Sequence, residues 1–133
     1  ISIMTDPYLA TDAEFNRLLE EYGKYGSLVI GFDFDGTVHD YHKQGHTFPK
    51  VTELLIDLKS IGCKLICWTA YKDLGYVEAY LIEHGIPYDG INEDGVPLPW
   101  DSRKPFFSAL LDDRAGLAFV YHVLKQLVDE VKC

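Results

Sequence analysis

Leu28-Val29-Ile30-Gly31-Phe32-Asp33-Phe34-Asp35-Gly36-Thr37 is the stretch whose reading decides the fold. Its first five residues are apolar and partly β-branched, with the length of a buried strand. The run follows a glycine-rich break and stops on two aspartates. Side chains alternate along a strand, so Asp33 and Asp35 are expected on one face with Phe34 opposite. Two carboxylates held together at the end of a buried strand repel each other unless a cation or a shared proton lies between them. Gly36 permits a sharp exit of the backbone, and Thr37 can satisfy loose amides. The plainer alternative is a pair of aspartates that merely end a strand and open a turn.

Working outward, the 133 residues suffice for one domain with a real core. The longest apolar runs are far too short to cross a bilayer, and no charged-then-apolar leader is read at the start. Ile1-Ser2-Ile3 reads as a remnant ahead of a natural start at Met4. The net charge of −9 disfavours non-specific binding to nucleic acid or anionic membrane. Cys63 and Cys67 fall on one face of a strand-like segment about 13 Å apart, too far for a disulfide or a shared metal. They read as reduced core residues of a cytoplasmic protein.

Elements alternate along the chain. Thr11-Asp12-Ala13-Glu14 has capping-box form, and Phe15, Leu18, Leu19 and Tyr22 continue at helical spacing to Gly23 and Gly26. Residues 1–27 therefore read as an extension and helix packed on a core spanning 28–133. Pro49 opens a helix with Val51, Leu54, Leu55, Leu58 and Ile61 as its stripe. Cys63 to Trp68 reads as a strand ending at Thr69, followed by a helix from Asp73 to His84. Ile86 to Ile91 holds a short strand, Asn92 to Ser102 is loop, and Phe106 to Leu111 is a strand ending at Asp112-Asp113. A last helix runs from Ala118 to Val131. This order predicts an α/β, three-layer, Rossmann-like fold with a parallel sheet flanked by helices. Ligands of such sheets bind at the carboxyl ends of the strands, where Asp33, Asp35, Thr69, Asp112 and Asp113 all fall.

Asp33-Phe34-Asp35-Gly36-Thr37 resembles the nucleophile motif of the haloacid dehalogenase superfamily, most of whose members are Mg²⁺-dependent phosphohydrolases. Three further motifs follow in order. Thr69 is similar to the family's strand-end Ser or Thr, with Ala70 beside it; alone, it could equally satisfy local backbone. Lys104 matches the third-motif lysine by its spacing before the acidic pair, with Arg103 as rival and a solvated loop lysine as the plain alternative. Leu111-Asp112-Asp113-Arg114 resembles the double-aspartate fourth motif. The resemblance implies that Asp33 is the nucleophile and Asp35 the acid/base. Thr69, Ala70, Gly36, Thr37 and Lys104 would hold phosphate. Mg²⁺ would take Asp33, the Asp35 carbonyl and Asp113, with Asp112 behind it or on Lys104; which of the adjacent pair touches metal stays open. Dehalogenation fits poorly, since that branch needs neither the second aspartate nor magnesium.

About a dozen residues separate Thr37 from Pro49, and 34 lie between Thr69 and Lys104. Neither gap holds an inserted cap domain, so the chain looks like a capless member with an open site for a phosphorylated small molecule or macromolecule. A homo-oligomer that closes the site stays open, as do a polynucleotide or nucleotide phosphatase, a phosphotransferase, and a non-catalytic metal- and phosphate-binding module. His39, His42 and His46 lack a fourth ligand and read as a mobile flap beside the site rather than a zinc centre. Trp100 and Tyr41 are expected to border the pocket or to anchor their loops.

Overall fold

Among the described residues, four short strands, all parallel, make a single sheet in the order β3-β2-β1-β4. The computed structural model describes residues 6–101 and 103–133, so the expectation about Met4 and the end of the loop at Ser102 lie outside the described residues. In chain order the elements are a 3₁₀ turn Pro7–Leu9, α1 Ala13–Tyr25, β1 Val29–Phe32, α2 Pro49–Ser60, β2 Lys64–Cys67, α3 Leu74–Glu83, β3 Gly90–Ile91, β4 Ala109–Leu111 and α4 Leu117–Lys132. This is the α/β, Rossmann-like architecture expected from the alternation, a parallel sheet flanked by four helices.

β1 lies between two partners and is buried along its whole length. Its register aligns Phe32 with Cys67 on β2 and with Leu111 on β4. Three chains therefore leave the sheet at the same level, which brings their polar continuations together. Ile30, Phe32, Leu65, Cys67, Ala109 and Leu111 join one core cluster with Leu54 and Leu58 of α2, Val77 and Leu81 of α3, and Leu124 and Leu127 of α4. α4 packs on β4 and touches both α1 and α2. On the opposite face, a Cβ at Gly95 would meet Val29 and Ile66, and one at Gly31 would meet the Phe107 ring at 2.9 Å. The segment between β3 and β4 thus covers that face at close range.

Several boundaries differ from the sequence reading. β4 is shorter than Phe106 to Leu111, because Phe107 packs over Gly31 and against Trp68 instead of joining the ladder. The Thr11 capping box does not form: Asp12 is the N-cap without a side-chain bond, and Glu14 pairs with Arg17 at 2.9 Å. α1 continues through Gly23 and stops at Gly26, which takes the left-handed conformation at φ 68°. Cys63 and Cys67 are buried free thiols, as expected. No described helix is long and apolar enough to cross a membrane. Between β1 and α2 lie only the turn at 33–37 and the 38–48 loop, and no inserted domain interrupts the described part of the later gap.

Leu124 is fully buried against the sheet, whereas Leu9 is 79% exposed. Leu124→Ala should cost about 2–5 kcal/mol of unfolding free energy, while Leu9→Ala should stay within about 0.5 kcal/mol, as read from urea midpoints at constant slope.

Candidate functional site

The chain leaves β1 through a closed turn rather than a continued strand. Phe34 is fully buried, its carbonyl accepts from the Val38 and His39 amides at 3.1 and 2.9 Å, and Gly36 N–H donates to the His39 carbonyl at 3.0 Å. Gly36 has φ 80°, and a Cβ there would stand 2.6 Å from Asp113 Oδ2. Glycine is therefore required both for the turn and for the approach of Asp113. Thr37 is fully buried and its hydroxyl accepts from the Asp113 N–H at 3.3 Å. The first turn thus fixes the backbone of the last acidic pair.

Ligand-capable oxygens of Asp33, Asp112 and Asp113 lie within 4.8 Å of one another. This changes one expectation. The acids crowding Asp33 are Asp112 and Asp113, not Asp35, because the turn carries the Asp35 carboxylate away to His39, 2.8 Å from Nδ1. The Asp33 carboxyl is pushed up to about 7, first by burial, then by the Asp112 charge and by the hydrogen bond and charge of Asp113, against a smaller opposing bond from the Phe34 N–H. Three oxygen donors of this kind fit a hard divalent cation, and a shared proton is the alternative occupant. Burial, and then the charges of Asp33 and Asp35, push the neighbouring Cys67 thiol up to about 12, which leaves it an inert core group.

These acids open onto a cavity of about 950 Å³ at the carboxyl edge of the sheet. Asp33, Asp35, Gly36, Thr69, Ala70, Asp112 and Asp113 all line it, so the structure brings most of the sequence candidates to one place. Thr37 lies behind the wall. Thr69 is held at both backbone groups by one side chain of another loop: Asn92 Oδ1 accepts from its N–H at 2.7 Å, and Asn92 Nδ2 donates to its carbonyl at 2.8 Å. The Thr69 hydroxyl accepts from the Tyr71 N–H at 2.9 Å, the local role weighed from sequence.

Lys104 and Arg103 are not among the residues lining this cavity. Arg103 lines a second cavity of about 380 Å³ with Asp94, Leu98, Trp100 and Asp101. Trp100 therefore does not border the acidic site, because its loop runs over another part of the surface. The cations on the acidic cavity are Lys72 and Arg114. Lys72 carries no sequence signal beyond its place three residues after Thr69. Asn92 is equally silent in sequence, being one polar residue in a loop.

The histidines also separate. His42 and His46 line the cavity, whereas His39 is 8% exposed and stacked on Phe34. Among the described residues, only the three aspartates form a metal-ligand cluster, so the three histidines do not converge. The 40–46 loop is tied by the Asp40 carboxylate, which accepts from the N–H groups of Gln44, Gly45 and His46 at 3.2, 2.8 and 3.0 Å. It is an Asx-anchored wall rather than a free flap.

No protein-family model and no curated protein matches the chain. A solved structure of a conserved protein from Bacteroides thetaiotaomicron is similar with a TM-score of 0.61 at 27% identity, over 75% of this chain and 91% of that one. A crystal structure from Vibrio cholerae is similar at 22% identity with a TM-score of 0.45, over 79% of this chain and 98% of that one. The first supports the α/β fold.

A carboxyl raised above its ordinary 3.8 binds its proton more tightly in the folded than in the unfolded chain. Its stabilising contribution is full below about pH 3.8 and is lost as pH rises through about 7. In chelator, Asp33→Asn should therefore match the wild-type melting temperature near pH 4 and exceed it increasingly up to pH 8. A constant offset across that range would show that Asp33 titrates normally.

Proposed function

We propose that the protein is a Mg²⁺-dependent phosphohydrolase that cleaves phosphomonoesters through an aspartyl-phosphate on Asp33, in an open site without a cap domain. The observation that carries this reading is the cluster of Asp33, Asp112 and Asp113 beside an open cavity that Asp35 and Thr69 also line. The four motifs that resemble the haloacid dehalogenase superfamily supply the order of roles.

The cavity walls carry six aspartates, Asp33, Asp35, Asp40, Asp73, Asp112 and Asp113, against Lys72 and Arg114. A phosphate dianion would be repelled from such a site without a cation. Asp33, Asp113 and Asp112 would hold Mg²⁺, with the Asp35 carbonyl as the further oxygen the resemblance implies. When bound, the metal supplies charge neutralisation and polarises the phosphoryl group.

In the reaction, a carboxylate oxygen of Asp33 bonds to phosphorus as the bond to the leaving oxygen breaks. Asp35 gives its proton to that oxygen. It then takes a proton from water, which attacks phosphorus, and Asp33 leaves as carboxylate with release of phosphate. Thr69 and Ala70 bound the phosphoryl position. Lys72 offsets the negative charge of the phosphoryl oxygens, in the role that the family resemblance implies for Lys104. The rim formed by Tyr41, His42, His46 and Phe48 faces the remainder of the substrate.

The test is a panel of nucleotides, sugar phosphates, aryl phosphates and 3′-phosphorylated oligonucleotides, with and without Mg²⁺. Asp33→Asn should abolish turnover and the acid-stable phosphoenzyme while the circular dichroism stays native. Lys72→Met should lower kcat/KM by roughly a hundredfold, against less than about threefold for Lys104→Met. The reverse order would return the role to Lys104, and absence of any Mg²⁺-dependent turnover would overturn the reading.

A further inference from the structure

We propose that His39 and Tyr76 are positioning residues that aim the Asp35 carboxyl for proton transfer to the leaving group. The inference rests on the phosphohydrolase reading and adds to it a device that the motifs do not contain.

His39 Nδ1 stands 2.8 Å from Asp35 Oδ1, and His39 Nε2 stands 3.1 Å from the Tyr76 hydroxyl. Asp35 accepts at Oδ1 both as the carboxylate and with its proton on Oδ2, so Nδ1 carries the hydrogen and donates to Asp35. Nε2 of the neutral ring then accepts from the Tyr76 O–H. Donors and acceptors run in one direction, Tyr76 to His39 to Asp35, and each ring nitrogen has one partner. This fixes tautomer and ring orientation together.

The ring has little room to turn. One face stacks on Phe34, with centroids 4.4 Å apart and planes 11° apart. Tyr80 and Tyr71 meet it nearly at right angles, at 4.8 and 6.0 Å. The partners are themselves anchored. Phe34 is fully buried in the core, Tyr80 donates its hydroxyl to the Val38 carbonyl at 3.3 Å, and the Tyr76 N–H is capped by Asp73 Oδ1 at 3.1 Å. The His39 backbone also closes the turn that carries Asp35, through the Phe34 carbonyl and the Gly36 N–H.

Asp35 is the member of the motif that this network isolates. Its Oδ1 is engaged by His39, so Oδ2 is the oxygen through which Asp35 serves the cavity it lines. The Asp33 carboxyl, by contrast, is shared with Asp112 and Asp113. The two aspartates of one turn are thus held by different partners for different work. Proton transfer is sensitive to alignment, and a misplacement of about 1 Å can cost roughly a hundredfold.

The alternative is that His39 merely fills space between the turn and α3, in which case its loss would weaken all substrates alike. The experiment separates the two. With Mg²⁺ present, single-turnover phenol release is measured over aryl phosphates whose leaving groups run from dinitrophenol to unsubstituted phenol. The poorer leaving groups need the proton most. His39→Gln should slow phenyl phosphate by roughly 10- to 100-fold, slow dinitrophenyl phosphate far less, and leave KM nearly constant. Tyr76→Phe, which keeps the ring and its packing, should show the same steepening on a smaller scale. In an Asp35→Asn background, His39→Gln should add nothing further.

An equal loss across the series, or an additive loss in the Asp35→Asn background, would overturn the positioning role while leaving the phosphohydrolase reading intact. Wild-type protein that forms no phosphoenzyme and releases no phenol would overturn both. Native melting behaviour of Tyr76→Phe guards against loss of fold as the cause.

Discussion

Carboxylate repulsion at the carboxyl end of β1 is the constraint on which the site depends. Asp33, Asp112 and Asp113 place their oxygens within 4.8 Å of one another, and burial adds to the cost of charging them. Such a cluster persists only because the surrounding structure holds its backbone. The sheet aligns Phe32 with Leu111, so the acids of two strands emerge side by side. The Thr37 hydroxyl binds the Asp113 N–H, and Gly36 leaves the space that Asp113 Oδ2 occupies. Stability is given up locally where the carboxyls crowd together, and the core beneath offsets it.

That core is small but continuous. β1 has four residues and all are buried, so it acts as the spine to which both neighbouring strands register. All four helices contribute buried side chains to the cluster that covers one face, while Phe107 and the Gly95 turn seal the other. The result is a rigid floor with three strand ends at one level. The walls above it are loops, which are anchored by single polar side chains: Asp40 for the 40–46 loop, Asn92 for Thr69, and His39 for Asp35. Each anchor satisfies backbone or carboxylate groups that would otherwise face the cavity unaided.

The division between Asp33 and Asp35 shows how a short motif can hide its geometry. Strand alternation places both carboxylates on one face, yet the chain turns at Phe34 and sends them to different partners. Aromatic packing is the cause. Phe34 enters the core, and His39 stacks on it with Tyr71, Tyr76 and Tyr80 around the pair. A histidine that looks like one of three in a polar loop is therefore part of the interior.

The sequence by itself determined the alternation of strands and helices, the parallel sheet and the edge at which its polar residues collect. Those follow from periodicity and from residues adjacent to strand ends, which are local properties. It also named the aspartates of the cluster, because acids that end buried strands stand out against apolar runs. Only the tertiary structure decided which acid faces which, that Lys72 rather than Lys104 lines the cavity, that Trp100 belongs to another surface, and that Asn92 and Tyr76 reach Thr69 and His39. The last two contacts join residues 23 and 37 positions apart, through side chains of ordinary type. Their partners are set by loop paths and aromatic packing, and neither leaves a period in the sequence.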